Sequence, residues 1–295
     1  MFFYLKWDDR RPETINLVNV LPKETNFKET FKIKSKEFTI CGWINPNFHT
    51  YYPPVKKTHK KNQYLSSHLQ KCIRRMDDIK SIKTAKNFIE LDYTSFIRRL
   101  PIIMLEDVCL HESFPVLIWL MIANTKGFKL KLPIFKWLLG VVYHLSLCKV
   151  KTDYSKITDE IEIINDDLFL NTLRFRKSYG GMKGDMEMIE YYTQNLDNIY
   201  IDKGKIFIIK SNIEGLYKGE WLFSANDFHC NKHILDYINY AFPQYNKEYI
   251  KSLIWIFSSS LNYRMDPLNF TVNESNDWYI IKDKVKAYQR KCMYY

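Results

Sequence analysis

Apolar residues recur every three or four positions through most of the chain between residues 64 and 150. The period of an α-helix is about 3.6 residues, so this spacing predicts a bundle of amphipathic helices. In the stretch YLSSHLQKCIRRMDD (64–78) the residues on one helical face are Leu65, Leu69, Cys72, Ile73 and Met76. We expect this face to pack inside the bundle and the intervening cations to lie at its surface.

Two segments of the same region are almost wholly apolar. They are PVLIWLMIA (115–123) and LPIFKWLLGVVYHLSLC (132–148). The first is about half the ~20 residues that a membrane span requires, and the second contains Lys136 and His144. Both are therefore predicted to be buried core helices, and no transmembrane segment is expected.

The flanking regions favour short strands. Alternation in FKIKSKEFTI (31–40) predicts one strand, and IYIDKGKIFII (199–209) reads as a hairpin that turns at Lys203 and Gly204. The predicted fold is mainly α with a minor β part. We divide it into an N-terminal β segment with a basic connector (1–63), a basic helical module (64–196) and a small α+β region (197–295).

Composition narrows the class of protein. Hydrophobic residues make up 46% of the chain and charged residues 26%, as in a globular protein and unlike a disordered one. The six cysteines are scattered, and no CxxC pair occurs. This pattern favours reduced thiols in an intracellular compartment, whether cytoplasm or nucleus, or a virus factory or virion if the source is viral.

The positive charge is concentrated in one part of the sequence. The net charge is +11, and residues 113–152 alone hold six lysines and no acid. A concentrated cationic block can neutralise phosphates and release counterions, which predicts DNA or RNA as a partner. Lysines that only keep helices soluble are the alternative. The residues predicted to contact nucleic acid are Lys56, Lys57, Lys60, Lys61, Lys71, Arg74, Arg75, Arg176, Lys177 and Lys183.

Two short motifs have a chemical and a structural interpretation each. In SYGGMKGDM (178–186) the glycine-rich turn could bind an anion, or could simply join two helices. Glu106, Asp107 and His111 could bind a metal or transfer protons. The preferred interpretation of the second motif is structural, with Arg98 and Arg99 forming ion pairs with Glu106 and Asp107.

A third motif, DFHCNKH (227–233), contains His229, Cys230 and His233. Zinc accepts these residue types, but no second ligand pair of recognisable spacing accompanies them. We therefore expect Asp227 or Asn231 to cap the following helix, and we expect neither a metal nor another cofactor. No catalytic constellation is evident, so an enzyme is the less favoured class.

Three pieces of the chain occur in a familiar order: SSHLQKCIRRMDD (66–78), AKNFIELD (85–92) and FIRRLPIIMLEDVCLHESF (96–114). Over roughly residues 64–125 the chain resembles the helical C-terminal module of replication-associated recombination protein A, a relative of the clamp loaders. The positions that match its "S-x-L-x-K-x-x-R" and "RRL…EDV" elements are Ser67, Leu69, Lys71, Arg74, Arg98, Arg99, Leu100, Glu106, Asp107 and Val108.

In that family the module forms oligomers and supports action on DNA. The resemblance does not extend to ATP hydrolysis, because the chain contains no GxxxxGK[ST] phosphate-binding loop. The expected function is a DNA-binding or assembly factor linked to replication or recombination, acting as a homo-oligomer or in a multiprotein complex. The alternative is a structural or assembly subunit of a larger complex or DNA-virus particle, whose basic face meets a protein partner or packaged genome.

Overall fold

A computed structural model describes residues 1–33, 35–54, 62–152, 167–226, 231–261, 263–264 and 270–293. Helices account for most of these residues, and a small four-stranded sheet with a separate pair of two-residue strands forms the β part, so the fold is mainly α with a minor β part, as predicted. Among the described residues, no helix has both the length and the apolar character needed to cross a bilayer.

The sheet is built from the first 44 residues. Its strands are β1 (Phe2–Trp7), β2 (Thr14–Val18), β3 (Phe27–Ile33) and β4 (Lys36–Ile44). They lie in the order β2-β1-β4-β3, with β1 and β4 parallel at the centre and the outer pairs antiparallel. FKIKSKEFTI is therefore not one strand. It turns back on itself and contributes to both β3 and β4.

The central helices follow the sheet in the order that the periodicity predicts. They are α1 (Asn62–Arg74), α2 (Asp78–Asp107), α3 (Phe114–Thr125) and α4 (Leu132–Leu147). Helix α2 is interrupted at Asp92, whose backbone is extended and whose carboxylate accepts a hydrogen bond from the Ser95 amide at 2.9 Å. Asp92 thus caps the second half of α2.

Helices α3 and α4 both pack against α2. Both are largely buried, which confirms that they are core helices. The Trp119 indole of α3 reaches the sheet and donates hydrogen bonds to the carbonyls of Phe3 and Cys41. A Cβ at residue 42 would lie 2.8 Å from this ring, so the close approach of helix to sheet requires Gly42.

The second half of the chain adds helices α5 (Asp167–Ser178), α6 (Lys183–Gln194), α7 (Lys232–Ala241), α8 (Lys247–Leu253) and α9 (Val272–Met293). The predicted hairpin at 199–209 is wrong. Only Ile201–Asp202 is extended there, and this strand (β6) pairs in parallel with β5 (Leu110–His111). Among the described residues of 197–293, the regular structure is helical apart from β6, whose partner belongs to the central module.

Two hydrophobic cores result. The first runs from Phe3 to Ile206 and includes the inner face of the sheet together with α1 to α6, so the N-terminal strands and the helical module share one core. The second lies between α7, α8 and α9 and centres on Ile238, Leu253 and Ile281.

Candidate functional site

The cations of α1 do not form the surface that their spacing predicted. Lys71 is 2% exposed and its ammonium group donates to the carbonyl of Ser224. Arg74 is 7% exposed and donates from Nε to Asp107 Oδ1 at 2.6 Å. Arg75 is half-buried and donates to Ser224 Oγ and Ser260 Oγ. The helix packs on nearly all sides, so these side chains join it to other elements.

The cations around the glycine-rich turn also have internal partners. Arg176 is 3% exposed and donates to the carbonyls of Gly180 and Arg98, and burial lowers its pKa to about 10. Lys177 pairs with Glu190. Lys183 is exposed and lies 3.7 Å from Glu187. Gly180 has φ +69 and ends α5, which favours the helix-joining interpretation of this motif.

The acidic pair at the end of α2 lies in a buried ionic network. Asp107 is held by Arg74 and by Gln70 Nε2, the latter at 2.8 Å. Arg99 lies 3.3 Å from Glu106 and 3.1 Å from Asp185 on α6. Other predicted pairings are wrong, because Arg98 donates to the carbonyl of Tyr179 and Asp107 is paired by α1. These contacts join α1, α2 and α6.

His111 does not join those carboxylates. Its Nδ1 accepts a hydrogen bond from the Ser113 amide at 3.0 Å, and its Nε2 donates to the Gly204 carbonyl at 2.8 Å. Burial lowers the pKa of His111, so the neutral ring is favoured. The Glu106–Asp107–His111 cluster expected from the sequence is therefore divided between two places in the structure.

His111 instead belongs to a compact group of five side chains at the end of α4. These are Cys109, His111, His144, Cys148 and Asp202. Local geometry aligns them in pairs. Residues 109 and 111 lie on one side of the extended backbone, and residues 144 and 148 are one helical turn apart at the end of α4. Asp202 stands directly opposite His111 in the β5–β6 pair.

The members of this group are in close contact. The sulfur atoms of Cys109 and Cys148 are 3.9 Å apart, and His144 Nε2 is 2.7 Å from Asp202 Oδ2. The thiol–thiol hydrogen bond lowers the pKa of Cys148 to about 7 and raises that of Cys109. Burial would raise the pKa of Asp202, but hydrogen bonds from His144 and the Gly204 amide bring it below its usual range.

The sequence did not predict this group of five residues, although two short pairs of metal-ligand residue types occur in it. Cys109 and His111 form a C-x-H pair, and His144 and Cys148 form an H-x₃-C pair. A search for CxxC alone passes over both. Asp202 carries no sequence signal, because only the folded chain brings β6 beside β5.

Of the DFHCNKH motif, His229 and Cys230 lie outside the described residues. Asn231 caps α7, as predicted, by accepting a hydrogen bond from the Ile234 amide at 3.2 Å. His233 lies in the first turn of that helix. The predicted connector contacts, Lys56, Lys57, Lys60 and Lys61, also lie outside the described residues.

A different set of lysines lies around the start of α4, at the opposite end of this helix from the cysteines and histidines. This lysine surface consists of the exposed Lys126 and Lys129 and the half-buried Lys131 and Lys136, and Lys131 Nζ donates to Thr50 Oγ1 at 3.2 Å. Phe128 and Leu130 alternate with them and point into the core, at 8% exposure each. Within the part of the chain that the structure describes, none of the four forms a salt bridge with a carboxylate.

The segment before the connector runs along this lysine surface. Thr50 pairs with Lys131 in an antiparallel bridge, and the Tyr51 amide donates to the Leu130 carbonyl at 2.8 Å. The Tyr51 ring stacks on Phe135, with centroids 4.0 Å apart. The next residue, Tyr52, is 80% exposed. A solvent-facing aromatic ring thus sits beside the lysines.

Comparison of the chain with protein-family models, with curated proteins and with solved structures gives no match. The resemblance to the clamp-loader relatives therefore stays a prediction based on the three sequence pieces.

Proposed function

We propose that this protein binds nucleic acid through the lysine surface and the adjoining Tyr52. The observation that carries the proposal is this group of four exposed or half-buried lysines, which lack acidic partners among the described residues. Cations of this kind are available to phosphates, whereas cations engaged inside the fold are not.

Other cations of the protein differ from the lysine surface because they have carboxylate partners. Arg74, Arg99 and Lys177 each lie next to a carboxylate. Their charge is compensated within the fold, so it adds little to attraction at a distance. The segment 113–152 carries its lysines without any acid, so its share of the net charge is uncompensated along the chain.

Tyr52 adds a second kind of contact. An exposed aromatic ring stacks on bases regardless of sequence, and such stacking contributes about 1–3 kcal/mol per base in single-strand binding. Its position beside Lys131 suits a strand whose phosphates follow the lysines while a base covers the ring. We therefore favour single-stranded nucleic acid with little sequence preference.

Fluorescence anisotropy with labelled single-stranded and duplex oligonucleotides tests this proposal. The apparent association constant is expected to fall steeply with salt. Replacing Lys126, Lys129 and Lys131 together by glutamine is expected to weaken binding. It should also reduce the slope of log K against log[salt] by about 0.7 per lost contact on a single strand and about 0.9 on a duplex.

A matched control removes the same number of charges elsewhere. Lys284, Lys286 and Lys291 are exposed on α9, and their replacement by glutamine should leave affinity and slope close to those of the parent protein. Equal losses in both triple variants would show that net charge alone drives binding. Absence of binding by the parent protein, together with large oligomers formed without nucleic acid, would favour the assembly-subunit prediction instead.

A further inference from the structure

The five side chains at the end of α4 have the composition of a zinc site. Thiolate, imidazole and carboxylate groups are the ligands that Zn²⁺ binds in proteins, usually four at a time in a tetrahedron. In each of two overlapping sets, the ligand atoms all lie within 4.8 Å of one another. One set is Cys109, Cys148 and Asp202, and the other is His111, His144 and Asp202.

The spacing of the two sulfur atoms agrees with a shared ion. Two thiolates bound to zinc at about 2.3 Å each stand about 3.8 Å apart in a tetrahedron. Cys109 and Cys148 are 3.9 Å apart in this structure. A disulfide would require the sulfurs to approach to about 2.05 Å. The present separation thus suits bridging by a metal without rearrangement of the two side chains.

Asp202 belongs to both sets, so its carboxylate is the ligand that connects them, and the His144 imidazole must move toward the two sulfur atoms for all four groups to bind one ion. His144 Nε2 and Asp202 Oδ2 are already in contact, at 2.7 Å. Bound to one zinc ion at about 2.1 Å each, these atoms would separate to about 3.4 Å. The other carboxylate oxygen, Oδ1, is held in place by the Gly204 amide at 2.9 Å.

Neighbouring groups hold the site in position. His111 links β5 to the Gly204 carbonyl, which fixes the backbone that carries Asp202. Hydrogen bonds of this kind around metal ligands set their orientation. Residue 204 must be glycine for this packing, because a Cβ there would lie 2.3 Å from His144 Cε1.

The surrounding charge also suits a bound cation. Helices α2 and α4 both end here, so the negative ends of two helix dipoles converge on the site. Arg264 donates to the carbonyls of Asp107, Leu145 and Cys148. Two thiolates and one carboxylate around Zn²⁺ would leave one negative charge, which this guanidinium offsets.

We propose that Cys109, His144, Cys148 and Asp202 bind one zinc ion, with His111 as the group that positions β6. The ion would join the end of α4 to β5 and β6. That junction needs reinforcement, since a parallel ladder of two residues on each side has little stability of its own. The site is structural, with four protein ligands and no open position for a substrate.

Elemental analysis of the full-length protein, purified without chelator, tests the proposal. One zinc ion per chain is expected in the parent protein. Cys148→Ser and Asp202→Asn preserve side-chain size and should each abolish stoichiometric zinc. Cys292→Ser changes an exposed thiol on α9 and should retain it. A metal-free parent protein, or ligand variants that keep their zinc, would overturn the proposal.

Cobalt substitution identifies the ligand types spectroscopically, so its result does not depend on the yield of a variant protein. After removal of zinc, added Co²⁺ is expected to give thiolate-to-cobalt charge-transfer absorption together with the intense visible bands of a tetrahedral ion. The thiolate band should weaken in Cys148→Ser, whereas Cys292→Ser should reproduce the parent spectrum. A cobalt complex without thiolate absorption would contradict the site as assigned.

The same two thiols could form a disulfide, which alkylation and intact-mass measurement under non-reducing conditions would detect. A disulfide between Cys109 and Cys148 in freshly isolated, metal-free protein would contradict the zinc site and identify the two cysteines as a redox pair. The zinc proposal is independent of nucleic-acid binding, because the lysine surface lies at the start of α4 and the zinc ligands lie at its end. Metal analysis and fluorescence anisotropy therefore test the two proposals separately, and either proposal can be refuted without the other.

Discussion

His68 is a buried polar residue of α1, and both of its ring nitrogens have hydrogen-bond partners. Its Nε2 accepts from the Leu222 amide at 3.0 Å, and its Nδ1 lies 2.8 Å from Thr84 Oγ1. An amide can only donate, so Nδ1 carries the ring proton and the histidine is neutral. Burial lowers its pKa to about 3. His68 is thus a neutral residue of the core.

This environment predicts acid sensitivity. The unfolded chain takes up a proton at His68 below about pH 6.5, while the folded protein resists protonation down to about pH 3. The unfolded state then binds more protons, so the free energy of unfolding should decrease as pH falls through this window. The loss is on the order of a few kcal/mol for a shift of this size.

Urea denaturation between pH 7 and pH 4 measures the effect. His68→Gln should be less stable than the parent at pH 7 and should lose less stability on acidification. The pKa of His111 is also lowered by burial, so some acid sensitivity will remain in the His68→Gln variant. Identical pH slopes for both proteins would show that His68 does not hold a neutral ring.

At the level of the element, α1 is an inner helix with charged residues on more than one buried side. Leu69 is fully buried in the first core, and Arg74 on the same helix is bound to Asp107, which is 1% exposed. The apolar and cationic residues of α1 therefore both contribute to folding. This arrangement differs from the expected division between a packing face and a binding face.

The structure predicts that Arg74→Ala destabilises about as strongly as Leu69→Ala. Removing Leu69 deletes buried apolar area and leaves a cavity, at about 2–5 kcal/mol. Removing Arg74 leaves Asp107 buried without its cation, at about 3–5 kcal/mol. Lys183 is exposed, so Lys183→Ala should change stability by no more than about 0.5 kcal/mol. Chemical denaturation of the three variants measures these differences.

An Arg74→Ala protein as stable as Lys183→Ala would refute the structural assignment of this arginine. It would then restore the prediction that the cations of α1 serve a partner. Anisotropy on the folded variants separates the outcomes further, because a structural arginine should not change the salt slope of nucleic-acid binding.

At the level of the whole molecule, arginines connect the two hydrophobic cores. Arg74 donates to the Ser259 carbonyl at 3.3 Å, and Arg75 donates to the carbonyl of Ser258 and to Ser260 Oγ. Ser258 and Ser259, whose carbonyls accept these hydrogen bonds, lie in the segment just after α8. Arg264 reaches the ends of α2 and α4 from the same part of the chain.

These contacts predict a local effect of Arg75→Ala. Amides of α7, α8 and α9 should exchange with deuterium faster in the variant, because the second core loses a connection to the first. Amides of α3 and α4 should keep their protection, since the first core is intact. Lys286→Ala, on the exposed face of α9, is the control and should exchange like the parent. Uniformly faster exchange in all helices would indicate global destabilisation instead.

The sequence by itself determined the fold class and the central helices. Helical periodicity at 64–150 and the two apolar segments locate α1 to α4, because burial of an apolar stripe requires that spacing wherever the partner helix lies. It also predicted Asp227 or Asn231 as the cap of the following helix, and Asn231 is the cap of α7, since capping depends on adjacent residues only. The strands were less predictable: the β3–β4 turn and the short β6 depend on pairing with distant segments.

Only the tertiary structure decided which charged and metal-ligating residues act together. The cations Lys71, Arg74 and Arg176 lie in basic stretches of sequence, yet each is buried and bound to an acceptor from another element. The spacing of residues along one helix cannot predict such a contact. Cys109, Cys148 and Asp202 are far apart in sequence and meet because α4 returns to the end of α2 and β6 pairs with β5. Local patterns reflect local energies, whereas a site depends on distances between elements that only the assembled core sets.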